Sequence, residues 1–304
     1  MRITGHGLVE KVVKNIQRRQ DQLSKVQEQL STGLKVAKAS DDPGAANQLL
    51  NLRSSLLSNK QWQRNIDRGL SSLCNSETAL SQVSDLLTRV QAAAVQGANE
   101  GISEADRRTL AEQVNQELNG LMSIANQRVS GRYLFGGGIT SRAPYIVSED
   151  ENDRVSQVES TGGEGNGSIE YIVGVNERIK AGPTGYYVFG FENGDSVFQM
   201  LLDLRQALEN DDPEAVGAIL PRLEEATEQI AGMTSMVGAQ VSSLTDLKNR
   251  LDEFSAAAEN QASELGDLEM LGAVTNYQEQ QTAYELALRT AANIIQPSLV
   301  YFLQ

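Results

Sequence analysis

The 304-residue chain holds 26 Lys+Arg against 40 Asp+Glu, a net charge of −14, with one histidine and one cysteine. No basic block offsets the acid excess, which argues against nucleic-acid binding through phosphate contacts, and Cys74 alone makes no intramolecular disulfide. Aromatics are only 5% of residues and six prolines interrupt the chain, a composition suited to long helices rather than a large compact core.

The first predicted element is a helix from about Gly7 to Lys38, which would be roughly 48 Å long. Its apolar residues Val9, Val12, Ile16, Leu23, Val26 and Leu30 form an a/d seam with one polar break at Arg19. A rod with such a stripe needs a partner. Ser40-Asp41-Asp42-Pro43 then reads as a stop and a start, with Asp42 capping a second helix and Pro43 at its first position. That helix places Leu52, Leu56, Gln63, Ile66, Leu70, Leu73, Leu80 and Leu87 on one face and runs to about Asn99. Ser103, with Asp106 three residues on, caps a third helix carrying Leu110, Val114, Leu118, Leu121 and Ile124.

The pattern changes at Gly131. Residues 131–194 contain thirteen of the 26 glycines, and helical periodicity gives way to short runs at Tyr133–Phe135, Tyr145–Val147, Ile169–Val175 and Tyr186–Phe191. Turn-rich segments at Gly162–Gly167 and Gly182–Gly185 separate them, so the region reads as a small inserted β domain. Residues 147–216 carry a net −11, which reads as a solvated outer face.

Helix returns after Asp195-Ser196, with Val197, Met200, Leu201, Leu204 and Leu208. Asp212-Pro213 repeats the cap-and-proline device before a long run to about Ala262, whose face includes Val216, Ile219, Leu223, Ile230, Val237, Leu244, Leu247 and Phe254. A terminal helix follows with Met270, Val274, Tyr277, Gln281, Tyr284, Leu288, Ala291 and Ile295 at alternating steps of four and three, Gln281 being the polar break. Residues 1–40 carry a net +5 and residues 261–304 a net −4, so the two end helices are expected to pair. The fold class is therefore mainly α: an elongated bundle of long antiparallel helices, with a paired N- and C-terminal coiled coil and a small inserted β domain.

Catalytic signatures are missing. His6 is the sole histidine, and no P-loop, H-E-x-x-H, C-x-x-C or EF-hand pattern occurs. Gly136-Gly137-Gly138 and Gly162–Gly167 do not fit G-x-G-x-x-G and read as turns. Asp150-Glu151-Asn152-Asp153 reads as a solvated acidic loop rather than a calcium site, and Asn166-Gly167-Ser168 as a chance match to the glycosylation pattern. The expectation is a protein that is not an enzyme and has no cofactor or metal. No run is long and apolar enough to span a bilayer, and Lys11, Lys14, Arg18 and Arg19 interrupt any signal-peptide core, so neither membrane insertion nor a cleaved signal is expected.

The stretch Leu30-Ser31-Thr32-Gly33-Leu34-Lys35-Val36, running into Ala39-Ser40-Asp41-Asp42-Pro43-Gly44-Ala45-Ala46, resembles the N-terminal signature of bacterial flagellins and their junction relatives. Met1-Arg2-Ile3-Thr4, Ser103–Leu110 with Asp106-Arg107-Arg108, and Gly131–Gly137 leading to Pro144-Tyr145 resemble the hook-associated protein 3 branch of that superfamily. Asn249-Arg250-Leu251-Asp252 and Asn260–Met270 are also flagellin-like.

The resemblance implies a structural component of the bacterial flagellum, an adaptor joining hook to filament in a ring of identical copies. It implies an assembly interface of Val9, Val12, Ile16, Leu23, Val26 and Leu30 against Met270, Val274, Tyr277, Tyr284, Leu288, Ile295 and Phe302. Residues 1–43 with 262–304 would be a terminal coiled-coil domain, disordered in the monomer and ordered on assembly. Residues 44–131 with 195–261 would be the long-helix bundle and 132–194 the β insert. Implied partners are further copies of the chain, hook-associated protein 1 on the hook side, flagellin on the filament side, and a cytoplasmic export chaperone on the C-terminal helix. Export unfolded through the flagellar type III route would place the chain outside the cell. Two other readings stay open: a filament flagellin, and a soluble helical ligand-binding protein or enzyme using the acidic insert.

Overall fold

A computed structural model describes residues 5–139, 141–150, 154–161, 167–190 and 196–302, with side chains at residue 7 and from 9 to 292 within those segments. The chain is mainly α. Helices α1 (Gly5–Thr32), α2 (Pro43–Gly97) and α3 (Glu104–Ala125) come first. Short strands follow: β1 (Arg128–Val129), β2 (Arg132–Tyr133), β3 (Tyr145–Glu149), β4 (Val155–Ser160), β5 (Glu170–Ile172) and β6 (Arg178–Lys180). Helices α4 (Gly185–Val188), α5 (Val197–Glu209), α6 (Pro213–Gly266) and α7 (Met270–Phe302) complete the order.

Local chemistry sets most of these boundaries. The Asp42 carboxylate accepts from the Gly44 and Ala45 amides at 3.0 Å each, capping α2 in front of Pro43. Ser103 Oγ accepts from the Asp106 amide at 3.2 Å and donates to the Asp106 carboxylate at 2.7 Å, closing the start of α3. Ser196 caps α5 through the Gln199 amide, and Asp212 caps α6 through the Ala215 amide. The β1–β2 hairpin turns on Ser130 (φ 51) and Gly131 (φ 81), the positive-φ pair that a tight two-residue hairpin turn demands.

Two expectations change. The first helix ends at Thr32 rather than running on to Lys38, because Gly33 takes φ 69 and its amide closes back onto the Gln29 carbonyl at 2.8 Å. The run Tyr186–Phe191 supplies the short helix α4 instead of a strand. Among the described residues the strands form three separate two-stranded antiparallel pairs, β1–β2, β3–β4 and β5–β6.

The chain divides into two compact units, residues 1–58 with 253–304 and residues 59–252, the division falling within α2 and α6. The second unit owns a continuous core. Ile66, Leu73, Leu80 and Leu87 of α2 meet Leu118 and Leu121 of α3, Leu201, Leu204 and Leu208 of α5, and Leu223, Ile230 and Leu244 of α6. Phe135, Tyr145, Phe189 and Phe198 join it as an aromatic cluster with ring centroids 5.2–5.4 Å apart. Gly185 allows this: a Cβ there would lie 2.2 Å from the Tyr145 hydroxyl.

Arg107 anchors the end of α2 in the same unit. Its side chain is 5% exposed and donates to the Gly97 carbonyl at 3.0 Å, the Asn99 carbonyl at 2.8 Å and the Asp211 carboxylate. One guanidinium thus satisfies the carbonyl of the last residue of α2 and adds a second donor to Asn99 O, which also accepts from the Ile102 amide.

Candidate assembly interface

Helices α1 and α7 pack against each other within the first unit. Leu34 and Asp267 form an antiparallel bridge, with Lys35 N–H donating to the Gly266 carbonyl at 2.8 Å and Leu268 N–H to the Gly33 carbonyl at 2.9 Å. Higher up the pair, Arg19 Nη1 donates to Gln280 Oε1 at 3.3 Å. Ascending numbers on α1 therefore meet descending numbers on α7, an antiparallel pair.

On α1 the expected seam is in place. Val26 is buried, and Val9, Val12, Ile16, Leu23 and Leu30 are half-buried, with Arg19 exposed. On α7 the seam sits differently. Its less exposed positions are Ala273, Tyr277, Gln280, Ala283, Tyr284, Ala287 and Ala291, with Ala273 and Ala291 buried. Tyr277 and Tyr284 are half-buried on this face. Met270, Val274 and Leu288 were expected to face α1 within the chain, and they are exposed instead. The polar break is Gln280 rather than Gln281. Alanines let two helix backbones approach closely, so the small residues face inward and the bulky ones are left outside. Ala273, Gln280 and Ala287 recur at intervals of seven, the one signal that would have found this face. The side chains of Ile295 and Phe302 lie outside the described residues.

The linker after α1 is tied back to it by charge. Lys25 reaches Asp41 at 3.0 Å, Lys38 reaches Glu28 at 2.6 Å, and Gln29 donates to the Lys35 carbonyl at 2.9 Å. The hydrogen bond from Lys25, helped by the Lys38 amide, holds the Asp41 carboxyl below its ordinary range. The hydrogen bond and charge of Glu28 push the Lys38 ammonium up.

The first unit has little interior. Among its described apolar residues only Val26, Leu49, Ala258, Ala273 and Ala291 are buried, three of them alanines. Val13, Leu50, Leu57, Phe254, Met270, Leu271, Val274, Leu286 and Leu288 are exposed, Leu271 at 83%. Exposed apolar side chains in this number make these helices a candidate contact surface.

Among the described residues no His, Cys, Asp and Glu side chains gather into a metal-ligand cluster, and no helix is long and apolar enough to cross a membrane. His6, Glu151–Asp153 and most of the 162–167 loop lie outside the described side chains. Cys74 is exposed.

Residues 8–140 match the bacterial flagellin N-terminal helical region. The chain is 26% identical to flagellar hook-associated protein 3 of Escherichia coli K12, covering 95% of both chains. It is also 26% identical to flagellar hook-associated protein 3 of Salmonella typhimurium, covering 95% of this chain and 96% of that one. The flagellar junction protein FlgL of Legionella pneumophila superposes with a TM-score of 0.57 at 16% identity, covering 71% of this chain and 100% of that structure, a likeness of fold. The resemblance to the hook-associated protein 3 branch of the flagellin superfamily therefore holds along nearly the whole chain.

Proposed function

We propose that this chain is a structural subunit of the bacterial flagellum that joins hook to filament, assembling into a ring of identical copies through α1 and α7. The observation that carries the reading is the contrast between the two units. Residues 59–252 hold a closed core, whereas among the described side chains of the other unit only five apolar ones are buried, three of them alanines, while nine large ones are exposed. Ordering each residue costs on the order of 1–2 kcal/mol, and in the α1–α7 pair only Val26, Ala273 and Ala291 are buried among the described side chains, so an isolated pair recovers little of that cost. Contacts from neighbouring copies tip the balance. On this reading residues 1–43 and 262–304 order on assembly, residues 44–131 and 195–261 form the long-helix bundle, and 132–194 is the insert.

The same reading gives the chain hook-associated protein 1 and flagellin as neighbours, an export chaperone on its C-terminal helix before assembly, and a place outside the cell after type III export. It assigns no catalytic role. The test is complementation of a bacterium lacking its own junction protein. Restored attachment of filaments to hooks supports the reading. Hooks that stay bare while the purified chain grows open-ended filaments would transfer it to the filament-subunit class.

A further inference from the structure

The apolar seam between α1 and α7 repeats almost unchanged after seven residues. On α1, Val12 and Val26 are seven-fold equivalents, as are Val9, Ile16, Leu23 and Leu30. On α7, Ala273 and Ala287 are equivalent, as are Tyr277 and Tyr284. Apolar packing alone therefore distinguishes poorly between the observed register and one slipped by a heptad. The polar break distinguishes them. In the observed register Arg19 meets Gln280, and among the described residues this is the one side-chain hydrogen bond between α1 and α7. A slip of one heptad would set Arg19 against Ala273 or Ala287, and Gln280 against Val12 or Val26. Both groups would lose their partner: the exposed Arg19 would turn to water, while the half-buried Gln280 would sit on a valine of the seam.

We propose that Arg19 and Gln280 set the register of the α1–α7 pair. A single polar position in an otherwise apolar helix seam is a known means of fixing alignment, at some expense in stability. The backbone bridge at Leu34 and Asp267 lies about 21 Å of helix away from Arg19, counted from Gly33. It fixes the linkers, and the polar pair fixes the rods. The inference concerns one chain's own helices and rests on the proposed function only in taking them as ordered on assembly. Failure of the chain to assemble would count against that function, and a wrong register in the assembly against this inference.

Disulfide trapping tests it in the assembled full-length chain, where the pair is ordered, in a Cys74→Ser background. Counting along both helices from Arg19 at Gln280, the observed register sets Ile16 level with Ala283 and Leu23 level with Asn276. A slipped register exchanges the partners, pairing Ile16 with Asn276 or Leu23 with Ala283. Cysteine pairs at these positions should cross-link in the observed combination at least roughly tenfold more than in the exchanged ones. Combining Arg19→Leu with Gln280→Leu should raise the exchanged cross-links at least about fivefold while far-UV circular dichroism shows helix retained. If the double-leucine chain traps only the observed combination, the linker bridge sets the register and the proposal falls. It falls equally if the parent chain traps neither combination, or both alike.

Discussion

Replacing Arg107 with methionine keeps a stem of similar length in the buried site and removes every donor. Two carbonyls, Gly97 O and Asn99 O, lose bonds of 3.0 and 2.8 Å, and the Asp211 carboxylate loses its ion pair. The carboxylate is 42% exposed and rehydrates, so its share is small, under about 1 kcal/mol. The carbonyls sit where the guanidinium was 5% exposed, and each charge-assisted bond there is worth about 1.5 kcal/mol or more. The expected loss is about 3 kcal/mol, which for a unit of this size lowers the unfolding midpoint by about 6–12 °C. Trp62, the sole tryptophan, lies in the same unit and reports the transition by fluorescence. Asp211→Asn serves as the control and should cost under about 1 kcal/mol. An Arg107→Met chain within about 1 kcal/mol of the parent would refute the reasoning, as would equal losses in the two variants.

Three further outcomes are expected. Gly185→Ala drives a methyl into the Tyr145 hydroxyl and the Phe135 carbonyl, so stability should fall by about 1–3 kcal/mol, and the near-UV dichroism of the aromatic cluster should weaken. Because Asp41 is held below its ordinary value of 3.8, its contribution is complete above that pH and is lost as pH falls through the lowered value. In the assembled chain the amide protection of residues 25–42 should be lost as pH falls below 3.8, and Asp41→Asn should remove that step. Changing Met270, Val274 and Leu288 together to serine should leave the monomer's unfolding within about 1 kcal/mol of the parent, since all three are exposed. It should raise the concentration needed for assembly at least tenfold, given about 1.5–3 kcal/mol per buried side chain. Light scattering and fluorescence unfolding of the same preparation decide between these.

Much of the fold was legible because caps and periodicity are local signals. Asp42-Pro43, Ser103 with Asp106, and Asp212-Pro213 start helices as read, and the α1 stripe from Val9 to Leu30 faces α7. What escaped was set by geometry between elements. The α7 face was read from its bulkiest side chains, yet the close approach of two helices selects Ala273, Ala287 and Ala291, which no hydrophobicity count favours. The stop at Thr32 depends on Gly33 adopting a positive φ, while the apolar pattern through Leu34 and Val36 invites continuation. Arg107 read as one charge among many in Asp106-Arg107-Arg108. Only the approach of Gly97, Asn99 and Asp211 makes it a buried anchor.

The central claim is that α1 and α7 complete their burial in the company of other subunits. Amide hydrogen exchange on the purified monomer tests it most directly, with assembly followed in parallel. The account predicts rapid exchange in residues 1–40 and 262–304, protection in the core helices between Ile66 and Leu247, and protection of both termini only after assembly. Termini already protected in a stable monomer, with no change on assembly, would contradict it.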